Sequence, residues 1–179
     1  MICWPPVGRG PPSAPGANFR RRHDDDAAHH ASPRCWTNSA ALSGSDPRRV
    51  AYYLDTSAAV KLVVEEQGSA ALREWLAAAT VPIVSSDLTR TELLRATRRG
   101  APDQMEQARA VLATLVLVTL PPTTFERAAE VQPEQLRSLD AVHLAAALEL
   151  GDELDAIVTY DDRMAAAARA LGIAVVAPA

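Results

Sequence analysis

Short, uniformly apolar runs recur along the second half of this chain and alternate with segments of helical period. The runs lie at residues 50–54, 81–84, 116–120, 156–159 and 173–176. Strands that are apolar throughout, without alternating polar residues, are typical of parallel sheets covered by helices on both faces. The pattern therefore predicts an α/β fold of three layers, in which a central parallel sheet of four to five short strands is flanked by helices.

Residues 1–49 differ in composition from the rest of the chain. They contain seven of the 13 prolines, both cysteines and seven arginines, and they carry a net charge of +3, whereas residues 50–179 carry −7. They have neither strand nor helix period, and such a composition buries too little apolar surface to offset the entropy lost on ordering. We expect a disordered Pro/Arg-rich extension at 1–49 and one domain at 50–179. The alternative is a mis-assigned start, because Val50 directly precedes the first predicted strand and valine codons can start bacterial proteins.

No stretch of about 20 apolar residues, the length that crosses a bilayer, occurs in the sequence. Residues 1–49 also lack the apolar segment of a secretory signal. The sequence therefore predicts neither a membrane span nor export.

Four acidic residues stand beside apolar sequence, where an unpaired charge is costly. Asp55 ends the first predicted strand and Asp161 follows the fourth, while Glu92 and Asp140 lie on predicted helices. Ligands of open parallel sheets bind at the carboxyl ends of the strands. A group of carboxylates favours hard cations such as Mg²⁺ or Mn²⁺. The four acids therefore form a candidate metal site.

Each of the four acids also has a purely structural explanation. Asp55 and Asp161 are placed to cap the helices that follow them. Asp140 is placed to interact favourably with the positive end of its helix. Glu92 has arginines at helical spacing on its own helix, with which it can form surface ion pairs.

Four sequence blocks occur in a characteristic order: YLDTSAAVKLVVEE, SSDLTRTELLRA, SLDAVHLAAALELG and IVTYDDRMAAAARALGIAVVAP. They resemble the motif blocks of the PIN-domain family, in particular the VapC-type toxins of bacterial toxin–antitoxin modules. The resemblance covers Val50 to the end of the sequence and does not include residues 1–49. It implies a PIN-like fold and a Mg²⁺- or Mn²⁺-dependent endoribonuclease, the toxin of a type II module.

Matched position by position, the family's catalytic and metal-binding acids fall on Asp55, Glu92, Asp140 and Asp161. Asp162 is adjacent to Asp161, so the fourth position stays open between the two aspartates. We expect Asp55 and Asp140 to hold the principal ion. The resemblance leaves open whether one ion or two are bound.

Several neighbours of these acids are candidates for supporting roles. Thr56, Ser57 and Thr159 can orient the carboxylates, or they can serve only as helix-start and strand-end residues. His143 lies one helical turn from Asp140, and we predict that it is a packed helix residue rather than a catalytic base.

A run of basic residues lies on the predicted helix that carries Glu92, and it consists of Arg90, Arg95, Arg98 and Arg99. Such a run can contact the phosphates of RNA, although charged helix faces are often simply solvated. The resemblance further implies an RNA substrate, a cognate antitoxin that inhibits the enzyme, a homodimer, and a cytoplasmic location without membrane attachment.

Other α/β classes fit the first strand less well. A haloacid-dehalogenase-like phosphatase needs a second aspartate where Ser57 stands, and a dinucleotide-binding fold needs a glycine-rich turn that DTSAA lacks. Two alternatives remain: a catalytically inactive PIN-like module that binds RNA or a protein, and a nuclease that acts on DNA or on RNA broadly, in repair or processing.

Overall fold

The computed structural model describes residues 51–134 and 136–179, so the extension predicted at 1–49 lies outside the described residues. Five strands form one sheet in which every neighbouring pair is parallel. Its order is β3-β2-β1-β4-β5. The strands are β1 (Ala51–Leu54), β2 (Ile83–Ser86), β3 (Val116–Val118), β4 (Leu154–Val158) and β5 (Val175–Val176). The predicted α/β fold with a parallel sheet is confirmed.

Helices connect the strands. In the described residues they are α1 (Thr56–Val63), α2 (Ser69–Ala78), α3 (Asp87–Gly100), α4 (Met105–Thr114), α5 (Pro122–Ala128), α6 (Ser138–Leu148) and α7 (Asp162–Ala170). Two short 3-10 helices, Pro102–Gln104 and Gly151–Glu153, precede α4 and β4.

Both faces of the sheet are buried. Tyr53 and Ile157 belong to a core cluster with residues of α6 and α7, whereas Leu54 and Val158 belong to a second cluster with residues of α1 to α4. Successive strand residues point to opposite faces, so each central strand contributes to both clusters. This two-sided burial explains why the strands lack alternating polar residues.

The strand order places a crevice next to the first strand. From β1 the chain builds β2 and β3 on one side and later returns to add β4 and β5 on the other. In such sheets the crevice at the point of reversal is the usual ligand site. Leu54 pairs with Val158, and the Asp55 amide donates to the Val158 carbonyl at 3.1 Å. The residues that follow β1 and β4 therefore lie side by side.

Three helices begin in different ways. α4 begins at Met105 after a 3-10 helix, and Asp103 accepts from the Gln104 side chain instead of capping α4. Ser138 is the first helical residue of α6, and Arg137 occupies the N-cap position. Ser86, the last residue of β2, occupies the N-cap position of α3, and its buried hydroxyl makes no capping bond.

No helix in the described ranges is both long and apolar enough to span a membrane.

Candidate active site

Asp55 is buried at the end of β1, with 2% of its surface exposed. Its Oδ1 accepts from the Ala58 amide at 3.0 Å and from the Ser57 hydroxyl at 2.7 Å, so the side chain caps α1. Its Oδ2 accepts from the Thr159 hydroxyl at 2.8 Å. Capping is therefore part of the role of Asp55, and a second strand also contributes to holding the carboxylate.

The hydroxyls of Ser57 and Thr159 connect the ends of β1 and β4. They lie 3.3 Å apart, and each donates to Asp55. Ser57 in turn accepts from the Tyr160 amide at 2.8 Å, and Thr159 accepts from the Asp161 amide at 3.1 Å. The network fixes the loop after β4 relative to Asp55.

Glu92 reaches the same region from α3. Its Oε2 lies 2.5 Å from the Thr56 hydroxyl and 2.8 Å from His143 Nε2. Among the ion pairs of the described residues, Glu92 pairs with His143 and with no arginine. The surface ion pair that the sequence allowed for Glu92 does not form.

His143 lies on α6 with 2% of its surface exposed, packed in the core as a helix residue. Its Nδ1 lies 2.9 Å from the hydroxyl of Tyr53, which is fully buried in β1. Tyr53 precedes Asp55 by two residues, a spacing that places both on one face of the strand, but this spacing alone does not indicate a hydrogen-bond partner for Tyr53.

Asp140 is the third residue of α6, and its Oδ2 is buried without a hydrogen-bond partner in the described part of the chain. Burial raises the pKa of Asp140, and the charge of Asp161 raises it further, whereas Arg137 opposes the shift. Arg137 was missed from the sequence. It lies one helical turn before Asp140, a spacing that brings side chains together.

Asp161 is the N-cap of α7, and its Oδ1 accepts from the amides of Arg163 and Met164 at 2.8 and 3.0 Å. Asp162 is the first residue of α7 and is exposed. Asp161, and not Asp162, acts on the pKa of Asp140. Of the two adjacent aspartates, Asp161 is therefore the one close to the other acids.

The acids differ in how their surroundings act on their charge. Burial raises the pKa of Asp55, although the Ala58 amide and the Ser57 and Thr159 hydroxyls counteract it. Burial also acts to raise the pKa of Glu92, but hydrogen bonds from His143 and Thr56 outweigh it and hold that pKa below its usual range. A bound cation would favour the ionised forms of Asp55 and Asp140, the two acids whose pKa is raised.

The donor chemistry of the four acids fits a hard divalent cation. The unpaired Asp140 Oδ2 is buried, and Glu92 and Asp161 are each held through one oxygen, so their second oxygens stay free of hydrogen bonds with described residues. No three His, Cys, Asp or Glu side chains in the described ranges are grouped closely enough to hold an ion as they stand. Mg²⁺ commonly keeps several waters and binds through one or two carboxylates, so such a closed group is not required.

The four arginines of α3 are exposed but point in different directions. Arg95 and Arg99 follow Glu92 by three and seven residues, so they share its side of the helix. Arg90 lies on the opposite side, where it is 3.9 Å from Asp87. Arg98 lies between these two directions. Of the four arginines of α3, Arg95 and Arg99 are therefore the two whose spacing places them on the Glu92 side of the helix.

Comparison with known proteins agrees with this architecture. The PIN domain family model matches residues 52–170. Ribonuclease VapC46 of Mycobacterium tuberculosis (strain ATCC 25618 / H37Rv) is 45% identical over 128 residues, which are 72% of this chain and 98% of the relative.

Two solved structures resemble the fold. Mycobacterium tuberculosis VapC20, described as a Sarcin-Ricin loop cleaving toxin, superposes with a TM-score of 0.59 at 17% identity, covering 71% of this chain and 99% of its own. A toxin–antitoxin complex from Klebsiella pneumoniae gives 0.56 at 21% identity, covering 72% and 98%. At these identities the likeness concerns the fold alone. On the family model and the identity to its relative, the chain belongs to the PIN domain family.

Proposed function

We propose that this protein is a metal-dependent endoribonuclease and the toxin of a type II toxin–antitoxin module. The observation that supports the proposal is that the charges of Asp55 and Asp161 act on Asp140, while Glu92 reaches the residues after β1 through its hydrogen bond with Thr56. This arrangement occurs in a chain that is 45% identical to a protein named a ribonuclease.

The cofactor is Mg²⁺ or Mn²⁺. When bound, such an ion lowers the pKa of its water and stabilises negative charge on the phosphoryl group. Asp55 and Asp140 hold the ion, since Asp55 is the most firmly fixed acid and Asp140 has a buried oxygen without a partner. Glu92 and Asp161 complete the site or orient the attacking water through their free oxygens.

Thr56, Ser57 and Thr159 hold the carboxylates in place. Thr56 donates to Glu92, and Ser57 and Thr159 donate to Asp55. Hydrogen bonds of this kind fix the orientation of metal-binding carboxylates and raise affinity for the ion.

The substrate's phosphates contact arginines around the acids. Arg95 and Arg99 share the side of α3 that carries Glu92, and the exposed Arg137 lies one turn from Asp140. These cations place positive charge beside the acids, although residues 50–179 carry a net charge of −7. They explain how an acidic domain binds a polyanion.

A cognate antitoxin inhibits the enzyme by entering the acidic crevice. One structure with this fold is a toxin–antitoxin complex, and a site of four carboxylates attracts a basic side chain. Arginine suits the task because its planar fork pairs with a carboxylate through two hydrogen bonds. We further propose a homodimer, and a cytoplasmic location where the RNA and the antitoxin are made.

Metal binding can be tested separately from catalysis. Mn²⁺ at about 100 times its dissociation constant stabilises a folded protein by about 2.7 kcal/mol. We expect Mn²⁺ to raise the melting temperature of the full chain, and the increase to disappear in Asp140→Asn. A chain that binds RNA but shows no shift with Mn²⁺, and no cleavage, would favour the catalytically inactive binding module instead.

A further inference from the structure

A chain of hydrogen bonds leads from the core to one of the proposed catalytic acids. The hydroxyl of Tyr53 lies 2.9 Å from His143 Nδ1, and His143 Nε2 lies 2.8 Å from Glu92 Oε2. The rings of Tyr53 and His143 meet edge to face, with centroids 5.9 Å apart. Three elements, β1, α6 and α3, are joined by this chain, and its first two members are 2% exposed or less.

The chemistry of the three groups assigns the hydrogens along the chain. An ionised carboxylate only accepts hydrogen bonds, so the histidine nitrogen that faces Glu92 carries the hydrogen. In a neutral ring the other nitrogen, Nδ1, is then an acceptor, and the Tyr53 hydroxyl is the donor that it faces. For a neutral ring, the contact with Tyr53 therefore favours the form in which His143 donates to Glu92.

As a result, Glu92 is held through one of its two carboxylate oxygens. Both Thr56 and His143 donate to Oε2, and Oε1 accepts no hydrogen bond from a described residue. The carboxylate is thus anchored by one oxygen, and the other is free of hydrogen bonds with described residues. If the histidine hydrogen moved to Nδ1, the lone pair of Nε2 would face the lone pairs of Oε2 and push the carboxylate away.

We propose that Tyr53 is a positioning residue: its hydroxyl holds His143 in the Nε2–H tautomer, and His143 in turn orients Glu92 toward the reacting phosphodiester. The expected effect on RNA cleavage rests on the proposed ribonuclease activity, whereas the expected tautomer of His143 does not. Tyr53 also packs in the core, so the hydroxyl has to be tested apart from the ring. Tyr53→Phe removes the hydroxyl and keeps the ring.

The first readout is the tautomer itself, measured without metal or RNA. Long-range ¹H–¹⁵N correlation spectra of the full chain report which nitrogen of His143 carries the hydrogen, and His143→Gln identifies its signals. We expect the Nε2–H form in the native protein and loss of that fixed form in Tyr53→Phe. Tyr52→Phe is the matched control, because Tyr52 is the preceding strand residue, packs on Trp75 at 4.6 Å and lies near Asp155 rather than His143.

The second readout is RNA cleavage with Mn²⁺. Partners that orient metal-site residues are commonly worth about 10- to 100-fold. We expect Tyr53→Phe to lower kcat by that factor with KM changed less than about threefold. His143→Gln should restore most of the activity lost in His143→Leu, because glutamine can accept from Tyr53 and donate to Glu92. In His143→Leu, adding Tyr53→Phe should cost nothing further.

Two results would overturn the proposal: an Nδ1–H or doubly protonated His143 in the native protein, or a Tyr53→Phe protein that keeps the native tautomer and rate. Failure of the proposed function looks different, because the native protein would then cleave no RNA while its tautomer readout still responds to Tyr53→Phe.

Discussion

Thr159 and Asp55 are 104 residues apart in sequence, yet the Thr159 hydroxyl donates to Asp55 Oδ2 at 2.8 Å. The contact forms because β4 is inserted beside β1 late in the chain, in parallel register. The same hydroxyl accepts from the Asp161 amide. One threonine thus sets the positions of two of the four acids.

Replacing Thr159 by valine removes this hydroxyl with little change in shape. A buried carboxylate that loses a donor is costly, by about 1–3 kcal/mol. We therefore expect Thr159→Val to lower the melting temperature and to reduce Mn²⁺-dependent cleavage by about 10- to 100-fold. Thr114→Val is the control, because Thr114 donates to the Val111 carbonyl at the end of α4. Equal cleavage rates in the two variants would show that Thr159 does not position Asp55.

Asp140 makes the stability of the metal-free protein depend on pH. The folded-state pKa of Asp140 is raised above its usual value of 3.8. The folded chain therefore holds this proton more tightly than the unfolded chain does, and the protein loses stability as the pH rises from 3.8 through the raised pKa. Asp140→Asn cannot ionise. We expect it to melt higher than the native protein at pH 7, with a smaller difference near pH 4.

Differential scanning fluorimetry with a chelator present measures this difference. Asp152→Asn, an exposed aspartate of the 3-10 helix before β4, is the control and should melt like the native protein at both pH values. A melting temperature for Asp140→Asn equal to or below the native value at pH 7 would contradict the burial of an uncompensated charge.

The two arginines on the Glu92 side of α3 should matter more for RNA than the arginine opposite. We expect the double variant Arg95→Ala/Arg99→Ala to raise KM by about tenfold. A plot of the logarithm of the RNA-binding constant against the logarithm of the salt concentration should become shallower by about 1.4. Arg90→Ala, whose side chain lies near Asp87, should change neither by much. Similar effects of Arg90→Ala and the double variant would mean that α3 is only a solvated face.

Residues 1–49 should contribute little to folding. The described residues after position 50 supply a five-stranded sheet with core clusters on both faces, and the family model begins at residue 52. We expect deletion of residues 1–49 to change the melting temperature by less than about 2 °C, because a segment that buries no apolar surface adds little stability. A large decrease, measured by calorimetry at equal concentration, would show that the extension docks on the domain.

The sequence predicted the sheet well because burial on both faces leaves an unmistakable apolar pattern. The start of α4 cannot be read from the sequence, because Pro102 begins a 3-10 helix and the local pattern is the same for either helix type. Asp55 and Asp161 could be placed because each directly follows a buried strand. Ser57 and Thr159 were candidates from position, but which oxygens they hold depends on the register of β1 with β4.

Tyr53 and Arg137 could not be assigned a role in the same way. Tyr53 reads as one more core residue, and its hydroxyl acquires a partner only because α6 brings His143 against β1. Arg137 reads as part of a loop, and its relation to Asp140 depends on the residue at which α6 begins. Contacts that depend on how a helix packs on a strand are not encoded in local pattern.

The most direct test of the account is Mn²⁺-dependent RNA cleavage by the purified full chain and by Asp55→Asn, with circular dichroism to verify folding. Asparagine keeps an acceptor for the Ala58 amide, so the cap of α1 survives. We expect the native chain and Asp152→Asn to cleave RNA, and a chelator to abolish this cleavage. We expect the cleavage rate of folded Asp55→Asn to be lower by at least about 100-fold. Native cleavage rates in folded Asp55→Asn, or cleavage that is indifferent to the chelator, would contradict it.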